Sequence, residues 1–193
     1  MKKITLLLVF ITTISISSFA QLGVKAGMNF AKMTDADNTL NNLQAGVFMD
    51  KDFIPLIKIR VGLDYSPKGA AFESSLMNSS TQINYLELPV LVKVKLGPLY
   101  GLGGVYGAYA MNGTSTVTVA GVETESDLNF DNISRWDAGM KFGLGAQFKL
   151  GPLGAFVQGA YSFGFNDLNT SGMGGELKNT SVLSFSVGVL LGN

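Results

Sequence analysis

Charged residues recur at every second position in several apolar stretches of this chain, and they are the side chains best placed to do chemistry. Lys58, Arg60 and Asp64 have this spacing, and aliphatic residues lie between them. A period of two puts the charged residues on one face of a β-strand and the aliphatic residues on the other. The full set is Lys25, Lys58, Arg60, Asp64, Glu87, Lys93, Lys95, Arg135, Asp137, Lys141 and Lys149.

Two interpretations of this charged face are open. In the first, the charges form an internal network of salt bridges and hydrogen bonds that fills a narrow lumen. In the second, Lys58, Lys93, Lys95 and Lys149 form a cation-rich vestibule near one mouth of a pore, where they attract anions. A measurement of single-channel current in a planar bilayer separates the two interpretations, because only the second predicts a current.

The composition excludes most catalytic and metal chemistry. The chain has no His and no Cys, so neither a Ser–His–Asp nor a Cys–His catalytic unit can be built. Zinc and copper sites with imidazole or thiolate ligands are excluded for the same reason. No pair of carboxylates on one strand has a spacing that suggests acid–base work. We therefore expect no enzymatic activity and no cofactor.

The first 20 residues have the features of a secretory signal peptide. Lys2 and Lys3 precede an apolar stretch from Ile4, and Ser18-Phe19-Ala20 forms a small-x-small cleavage site. A membrane-anchor helix is the alternative, but the apolar run is shorter than the ~20 residues that a span needs. Residues 21–193 then form the mature domain, with 12 basic against 14 acidic residues. This balance gives no case for a nucleic-acid partner.

The alternating pattern predicts eight β-strands in the mature domain. The predicted strands lie near residues 22–30, 43–50, 57–65, 86–96, 99–111, 136–150, 153–165 and 183–191. Short connections that contain Pro55, Pro98 and Pro152 alternate strictly with four long polar ones. This alternation is typical of an up-and-down antiparallel barrel that crosses a membrane, with tight turns on the periplasmic side and long loops outside. We expect these three prolines to mark the periplasmic turns.

The orientation of the two faces decides between a membrane barrel and a soluble one. Charged residues make up only 15% of the chain, against ~25% in a typical soluble domain. A Lys or Arg at the lipid midplane costs ~2–4 kcal/mol, so we expect the aliphatic face to meet lipid and the charged face to line the lumen. Aromatic residues near the presumed outer strand ends predict an interface girdle. They are Phe30, Tyr65, Tyr85, Tyr109, Trp136, Phe163 and Phe165.

Pro89 lies in the middle of a predicted strand, next to Glu87 on the charged face. Proline has no N–H group for the ladder, and a closed barrel has no free edge at which to place it. The sequence therefore predicts a β-bulge or broken pairing at Pro89.

Several sequence blocks resemble the PorT-like family of outer-membrane β-barrels. The blocks are "YLELPVLVKVKLG", "WDAGMKFGLGAQF", "GVKAGMNFAKM" and "YSFGFNDL". In that family a Tyr-Leu-Glu-hydrophobic-Pro block, an Asp-x-Gly strand and a Tyr-x-x-Gly strand recur. The resemblance covers essentially all of the mature chain. It implies a small eight-stranded barrel in the outer membrane of a Gram-negative bacterium.

The expected role is structural or interactive, through the outer loops or the periplasmic mouth. Outer-membrane lipid is the expected surrounding, and other envelope proteins are possible partners of a barrel that is a monomer or a subunit of a larger complex. The alternatives are a small channel with a basic periplasmic vestibule and a soluble periplasmic ligand-binding barrel of the lipocalin type.

Overall fold

The computed structural model describes residues 20–33, 40–74, 77–119, 122–127, 134–165 and 180–191, and the regular elements found there are all β-strands. No helix among these residues is long and apolar enough to cross a membrane. The predicted signal peptide lies almost wholly outside the described residues. The strands are β1 (Ala20–Met33), β2 (Leu40–Ile54), β3 (Ile57–Ser74), β4 (Met77–Leu96), β5 (Leu99–Val119), β6 (Val122–Asp127), β7 (Trp136–Leu150), β8 (Leu153–Gly164) and β9 (Thr180–Leu191).

Eight of these strands close into an antiparallel barrel. The sheet order runs β4-β3-β2-β1-β9-β8-β7-β5, and pairing between β4 and β5 closes the ring. The first and last strands lie side by side, with Leu22 opposite Leu191. The predicted eight-stranded up-and-down barrel is therefore confirmed.

The remaining strand, β6, lies in a segment for which the sequence predicts only a polar loop. It pairs with the outer part of β5, from Thr114 opposite Asp127 to Val119 opposite Val122. The part of β5 that it pairs with contains alternating Thr and Val at residues 116–119, and both residues favour extended backbone. β3, β4 and β5 also continue to 18, 20 and 21 residues, well past their predicted ends. We call residues 66–74, 77–84, 112–119 and 122–127 the projecting sheet.

Two-residue turns join the strands at one end of the barrel, which we call the turn end; the opposite end is the loop end. Gly97-Pro98 connects the paired residues Leu96 and Leu99, and Gly151-Pro152 connects Leu150 and Leu153. Gly97 has φ of 63° and Gly151 of 62°, which is the positive first torsion of a type II′ hairpin turn. Pro55 occupies the third turn. All three prolines therefore lie in turns, and the periplasmic location of this end stays a prediction.

The aliphatic face forms the outer wall of the barrel. Leu86, Leu88 and Val90 on β4 are 38%, 50% and 42% exposed, whereas Glu87 and Lys93 between and beyond them are fully buried. The predicted orientation of the two faces is confirmed. A soluble ligand-binding barrel would need the reverse, so this third alternative is wrong.

Several of the aromatic residues predicted to form the girdle lie on the outer wall, and their place at the membrane interface stays a prediction. Tyr109 and Trp136 lie on the outer wall with ring centroids 5.0 Å apart, and the rings of Phe163 and Phe165 are 5.6 Å apart. Tyr85 was wrongly included, because its side chain is only 1% exposed and lies inside the barrel. It shares the strand face of Glu87, two residues away.

Of the two outcomes predicted for Pro89, broken pairing occurs on the side of β3 and a bulge does not occur. Pro89 pairs with Tyr106 in the unbroken part of the β4–β5 ladder. The β3–β4 register is the same on both sides of it, although pairing is interrupted between Val61 and Asp64. Gly62 lies in that gap, and a Cβ there would be 3.3 Å from Cγ of Pro89, so the proline ring occupies space that glycine leaves. Proline has no N–H group to donate to the ladder, and here β3 and β4 lose their pairing locally without a register shift.

The register shift of this region lies between Asn84 and Tyr85 instead, four to five residues closer to the loop end. β5 carries the extra residue, because Ala110 pairs with Tyr85 while Asn112 pairs with Asn84. Met111 and Asn112 consequently both point outward. The bulge marks the place where the barrel wall passes into the projecting sheet.

Candidate functional site

The inward-facing side chains of the barrel form two packed clusters separated by one ion pair. The turn-end plug consists of Phe48, Asp50, Arg60, Lys93, Tyr100, Gln147, Phe156 and Gln158. The loop-end plug consists of Lys68, Tyr85, Glu87, Tyr106, Asp137 and Lys141. None of these residues is more than 7% exposed.

Asp50 is the centre of the turn-end plug. Arg60 holds its carboxylate in a bidentate fork, with Nε to Oδ1 at 2.6 Å and Nη2 to Oδ2 at 2.8 Å. Lys93 Nζ donates to the same Oδ2 at 2.9 Å and to Oε1 of Gln147, also at 2.9 Å. Two buried cations therefore share one carboxylate, and planar bidentate pairing is the strongest form of such a contact.

Arg60 also reaches across the full width of the lumen. Its Nη1 donates to Oε1 of Gln158 at 3.0 Å. β3 and β8, which carry these residues, are opposite one another in the ring of eight strands. Tyr100 OH donates to the same Gln158 oxygen at 3.3 Å. This chain of bonds crosses the lumen along a diameter.

Aromatic rings enclose the Arg60 guanidinium. Its Cζ lies 3.9 Å from the ring centroid of Phe48, 5.7 Å from that of Phe156 and 5.8 Å from that of Tyr100. The Phe48 and Phe156 rings meet edge to face with centroids 5.5 Å apart. Guanidinium groups stack well on aromatic faces because they are planar and weakly hydrated.

Lys25 and Asp64 form a separate pair between the two plugs. Lys25 Nζ lies 2.7 Å from Oδ2 of Asp64, with side chains 8% and 1% exposed. The pair joins β1 to β3 across Gly46 of β2, which lies opposite both residues. A Cβ on Gly46 would overlap the Asp64 carboxylate, so glycine leaves room for the ion pair.

The loop-end plug contains two lysines and two carboxylates. Lys68 Nζ lies 2.8 Å from Oδ2 of Asp137 and 3.6 Å from Oε2 of Glu87. Lys141 bonds to the other oxygen of Glu87. Tyr106 OH donates to Oδ2 of Asp137 at 3.2 Å, and its ring centroid is 4.4 Å from Lys68 Nζ.

Three polar atoms of the loop-end plug have no hydrogen-bond partner. They are Tyr85 OH, Glu87 Oε2 and Asp137 Oδ1. Among the buried nitrogens and oxygens of the turn-end plug, which the structure describes completely, none lacks a partner. Buried polar groups without partners are costly unless water reaches them, so the two plugs differ in how well their polar atoms are satisfied.

Glycine lies directly opposite four large aromatic side chains of the lumen, whereas Tyr85 lies opposite Ser66 and Ala110. The cross-strand pairs are Gly23 with Phe48, Gly145 with Tyr100, Gly139 with Tyr106 and Gly188 with Phe156. A Cβ on any of these glycines would come closer than 3.0 Å to the facing ring. The rings thus lie over bare backbone, which allows four aromatic side chains to fill a narrow barrel.

The structure brings most of the predicted charged residues together. Arg60, Lys93, Lys25, Asp64, Glu87, Asp137 and Lys141 belong to the buried clusters. Lys58 lies at the turn-end mouth, where its Nζ contacts Asp52 at 2.8 Å and Gln21 at 3.2 Å. Lys95 and the exposed Lys149 lie at the same mouth and form no salt bridge with a described residue. Arg135 is exposed at the loop end, outside both plugs.

Sequence reasoning missed two charges that organise the plugs. Asp50 was the last residue of a weakly predicted strand, and Lys68 lay in a segment predicted as loop. Both continue the period-two spacing of their strands, Asp50 from Phe48 and Lys68 from Asp64. Extending each strand by that spacing would have found them. No group of three or more His, Cys, Asp or Glu in the described part of the chain is arranged to hold a metal ion.

Comparison with known proteins identifies the fold and its family. The family model described as "Outer membrane protein beta-barrel domain" matches residues 15–169. The crystal structure of Neisserial surface protein A aligns with a TM-score of 0.51 at 10% identity, over 90% of this chain and 97% of that chain. A major outer membrane protein from Thermus thermophilus aligns with a TM-score of 0.51 at 17% identity, over 89% of this chain and 98% of that chain. No curated protein matches the chain in sequence.

Proposed function

The chain belongs to the outer membrane protein beta-barrel domain family, and from this premise we propose that it is a sealed barrel with a structural or interactive role in the outer membrane. The observation that carries the proposal is the bond from Arg60 to Gln158 along a diameter of the lumen. Other side chains pack around that bond, and the charged residues of the lumen form ion pairs with one another. A barrel of this kind contributes its surfaces rather than a pore.

Energetics support a lumen that stays closed. An ion that passed the turn-end plug would have to separate Arg60 and Lys93 from Asp50. Leaving one member of a buried pair uncompensated costs about 3–5 kcal/mol. The same passage would move the Phe48 and Phe156 rings away from the guanidinium that they enclose. These costs add to the free energy that the ion loses when it gives up its own hydration, so the passage of an ion through the lumen is unfavourable.

The basic turn-end mouth does not by itself support the alternative of a channel. Lys95 and Lys149 remain available there, while Lys58 is paired with Asp52. Lys93, which the vestibule hypothesis included, lies inside the plug and is fully buried. Anions attracted to this mouth would therefore meet a closed lumen directly above it.

The projecting sheet is the surface that we assign to interactions. At the loop end β7 begins at Trp136, opposite Tyr109, and β5 continues for ten residues beyond that pair, to Val119. Ten residues of strand extend about 33 Å. Its described side chains include an amide ladder, in which Gln82 donates to Asn84 at 3.2 Å and Asn84 donates to Asn112 at 2.9 Å. Regular pairing gives this region a fixed shape, which favours specific contact with a partner outside the cell over a mobile loop.

The family can be narrowed further as part of the same proposal. Tyr85, Glu87 and Pro89 carry the block that resembles the PorT-like barrels, and Asp137 lies in the second block. All four side chains are buried together with their neighbours. This placement supports a PorT-like assignment based on internal packing.

A liposome-swelling assay tests the sealed lumen. Proteoliposomes that contain the folded barrel should swell in small sugars no faster than protein-free liposomes, because no aqueous path exists. An Asp50→Ala barrel is the positive comparison, since it removes the shared partner of Arg60 and Lys93. Swelling of wild-type proteoliposomes at the rate given by a general porin would refute the sealed barrel.

Site-specific photocrosslinking in whole cells tests the interaction surface. A crosslinker at Thr116 or Asn84 in the projecting sheet should yield defined protein adducts. The matched positions are Leu144 on the outer wall and Lys149 at the turn end, where we expect none. Adducts found only at Lys149 would move the interaction surface to the periplasmic mouth and contradict the assignment.

A further inference from the structure

The outer wall of the barrel is almost without charge, and Lys51 is the exception. Among the strand side chains that the structure describes as pointing away from the lumen, Lys51 is the one that carries a charge. Its direction follows from its neighbours, because Asp50 points inward and Ile59, which pairs with Lys51, belongs to the outer wall. A charge is expensive on a surface that meets lipid, so its location needs an explanation.

Lys51 lies near the turn end, beside a shallow groove of about 270 Å³. Met49, Ile59 and Val61 form the apolar part of this groove, and Phe53 and Asp52 complete it. Phe53 is 73% exposed two residues beyond Lys51. The groove therefore runs from an apolar wall to a cation and an aromatic ring close to the turn.

The Lys51 ammonium has no carboxylate partner among the described residues. Asp52, the adjacent acidic residue, is directed to Lys58 at 2.8 Å. Ala20, which pairs with Lys51 on the side of β1 and is the last residue of the predicted signal peptide, carries no charge. A lysine at the edge of an apolar band extends its ammonium toward the headgroup level, where phosphate groups are available as counter-ions.

We propose that Lys51 and the groove beside it bind one phospholipid from the leaflet at the turn end. The headgroup phosphate accepts hydrogen bonds from the Lys51 ammonium, and an acyl chain lies along Met49, Ile59 and Val61. Phe53 covers the glycerol region as an interfacial aromatic residue. The proposal rests on the membrane location that the family implies, and it does not depend on whether the lumen is sealed.

The groove commits the site to a lipid rather than a free anion. A single ammonium gives a small phosphate ion only one charged contact, whereas a phospholipid adds the burial of its acyl chain on the apolar wall. Recognition by one lysine near the membrane surface corresponds to about a five-fold change in affinity. Contact with the acyl chain keeps the phospholipid bound, and the charge of Lys51 selects phosphate-bearing lipids over neutral ones.

Native mass spectrometry of the folded barrel, released from detergent micelles, tests the proposal with phosphatidylglycerol as the probe. Wild-type protein should retain one phosphatidylglycerol, and Lys51→Gln should bind it about five-fold more weakly. Lys51→Arg should bind as the wild type does. Lys149→Gln is the matched control, because that lysine is exposed at the same end but belongs to the lumen face, and it should leave binding unchanged.

Two further measurements define the ligand. Diacylglycerol, which has the acyl chains without the phosphate, should bind wild type and Lys51→Gln equally weakly. Inorganic phosphate should not displace the bound phospholipid; displacement at millimolar concentration would show a simple anion site and overturn the proposal. Equal phosphatidylglycerol binding by Lys51→Gln and Lys149→Gln would also overturn it. The heat-modifiable gel shift confirms that each variant is folded before its binding is compared.

Discussion

At the turn end of the lumen, two buried cations share one carboxylate, whereas at the loop end two lysines share two carboxylates. Arg60 and Lys93 both contact Asp50, while Lys68 and Lys141 are divided between Glu87 and Asp137. The turn-end plug has one excess positive charge, and the loop-end plug is neutral. Charge balance alone would therefore favour the loop end as the more stable of the two.

Hydrogen bonding reverses that order. The turn-end plug contains a bidentate Arg–carboxylate pair, two glutamine acceptors and three rings around the guanidinium. The loop-end plug leaves Tyr85 OH, Glu87 Oε2 and Asp137 Oδ1 without partners. The comparison teaches that complete hydrogen bonding of the buried polar atoms, more than the balance of charges, decides which plug closes the lumen. We infer that the turn-end plug is the principal seal and that water can occupy parts of the loop end.

Asp50→Ala should have the largest effect, because it removes the shared partner of two buried cations. We expect the free energy of unfolding to fall by about 3–5 kcal/mol. Urea unfolding of the barrel in detergent micelles, followed by the fluorescence of Trp136, measures this. Asp52→Ala is the matched control on the same strand. Its carboxylate is 52% exposed, so its loss should cost less than about 1 kcal/mol; equal losses for the two variants would contradict the central role of Asp50.

Gly145→Ala should have the next largest effect, because it forces the new methyl group against the Tyr100 ring of the turn-end plug. Overpacking of this kind costs about 1–3 kcal/mol, and the same unfolding measurement detects it. Gly107→Ala is the control, since a Cβ there meets no atom within 4 Å, and it should be neutral. A neutral Gly145→Ala would show that the ring moves freely and that the plug is not tightly packed.

Asp137→Asn should cost less than Asp50→Ala, because Lys68 keeps Glu87 as a second carboxylate at 3.6 Å. We expect a loss of about 1–2 kcal/mol, as for a weakened hydrogen bond to a charged group. Unfolding curves of Asp137→Asn and Asp50→Ala collected side by side give the difference. A larger loss of stability for Asp137→Asn than for Asp50→Ala would show that the principal seal is the loop-end plug.

Two hydroxyl deletions give the smallest effects and sharpen the comparison. Tyr100→Phe removes the hydroxyl that donates to Gln158 at 3.3 Å and should cost about 0.5–1.5 kcal/mol. Tyr85→Phe removes a hydroxyl without a partner, so stability should be unchanged or slightly increased. A clear loss of stability for Tyr85→Phe would show that an ordered water is hydrogen-bonded to the Tyr85 hydroxyl.

The sequence was sufficient for the orientation of the wall. The alternation puts Leu86, Leu88 and Val90 on the same face of the strand. A register slip of one residue would expose Glu87 and Lys93 to lipid together. The strand count followed from the same pattern, because each barrel strand has its own apolar face. These features are local and periodic, so a single chain is enough to reveal them.

The partners within the lumen were less accessible to sequence reasoning. Arg60 and Gln158 are separated by 98 positions, and their contact depends on the tilt and register of eight strands. Tyr100 and Tyr106 lie among glycines, where the period-two signal loses its contrast. Their direction became clear only from the structure, in which both side chains are buried and lie against glycines of β7. The bulge likewise depends on how β5 leaves the wall, so Pro89 alone could not locate it.

Single-channel recording of the purified wild-type barrel in planar lipid bilayers tests the sealed lumen most directly. Our account predicts a flat baseline in concentrated KCl at both polarities, with the folded state verified by heat-modifiable gel mobility. Reproducible unitary current steps from folded wild-type protein would contradict it, because Arg60, Asp50 and Gln158 could not then remain bonded across the lumen.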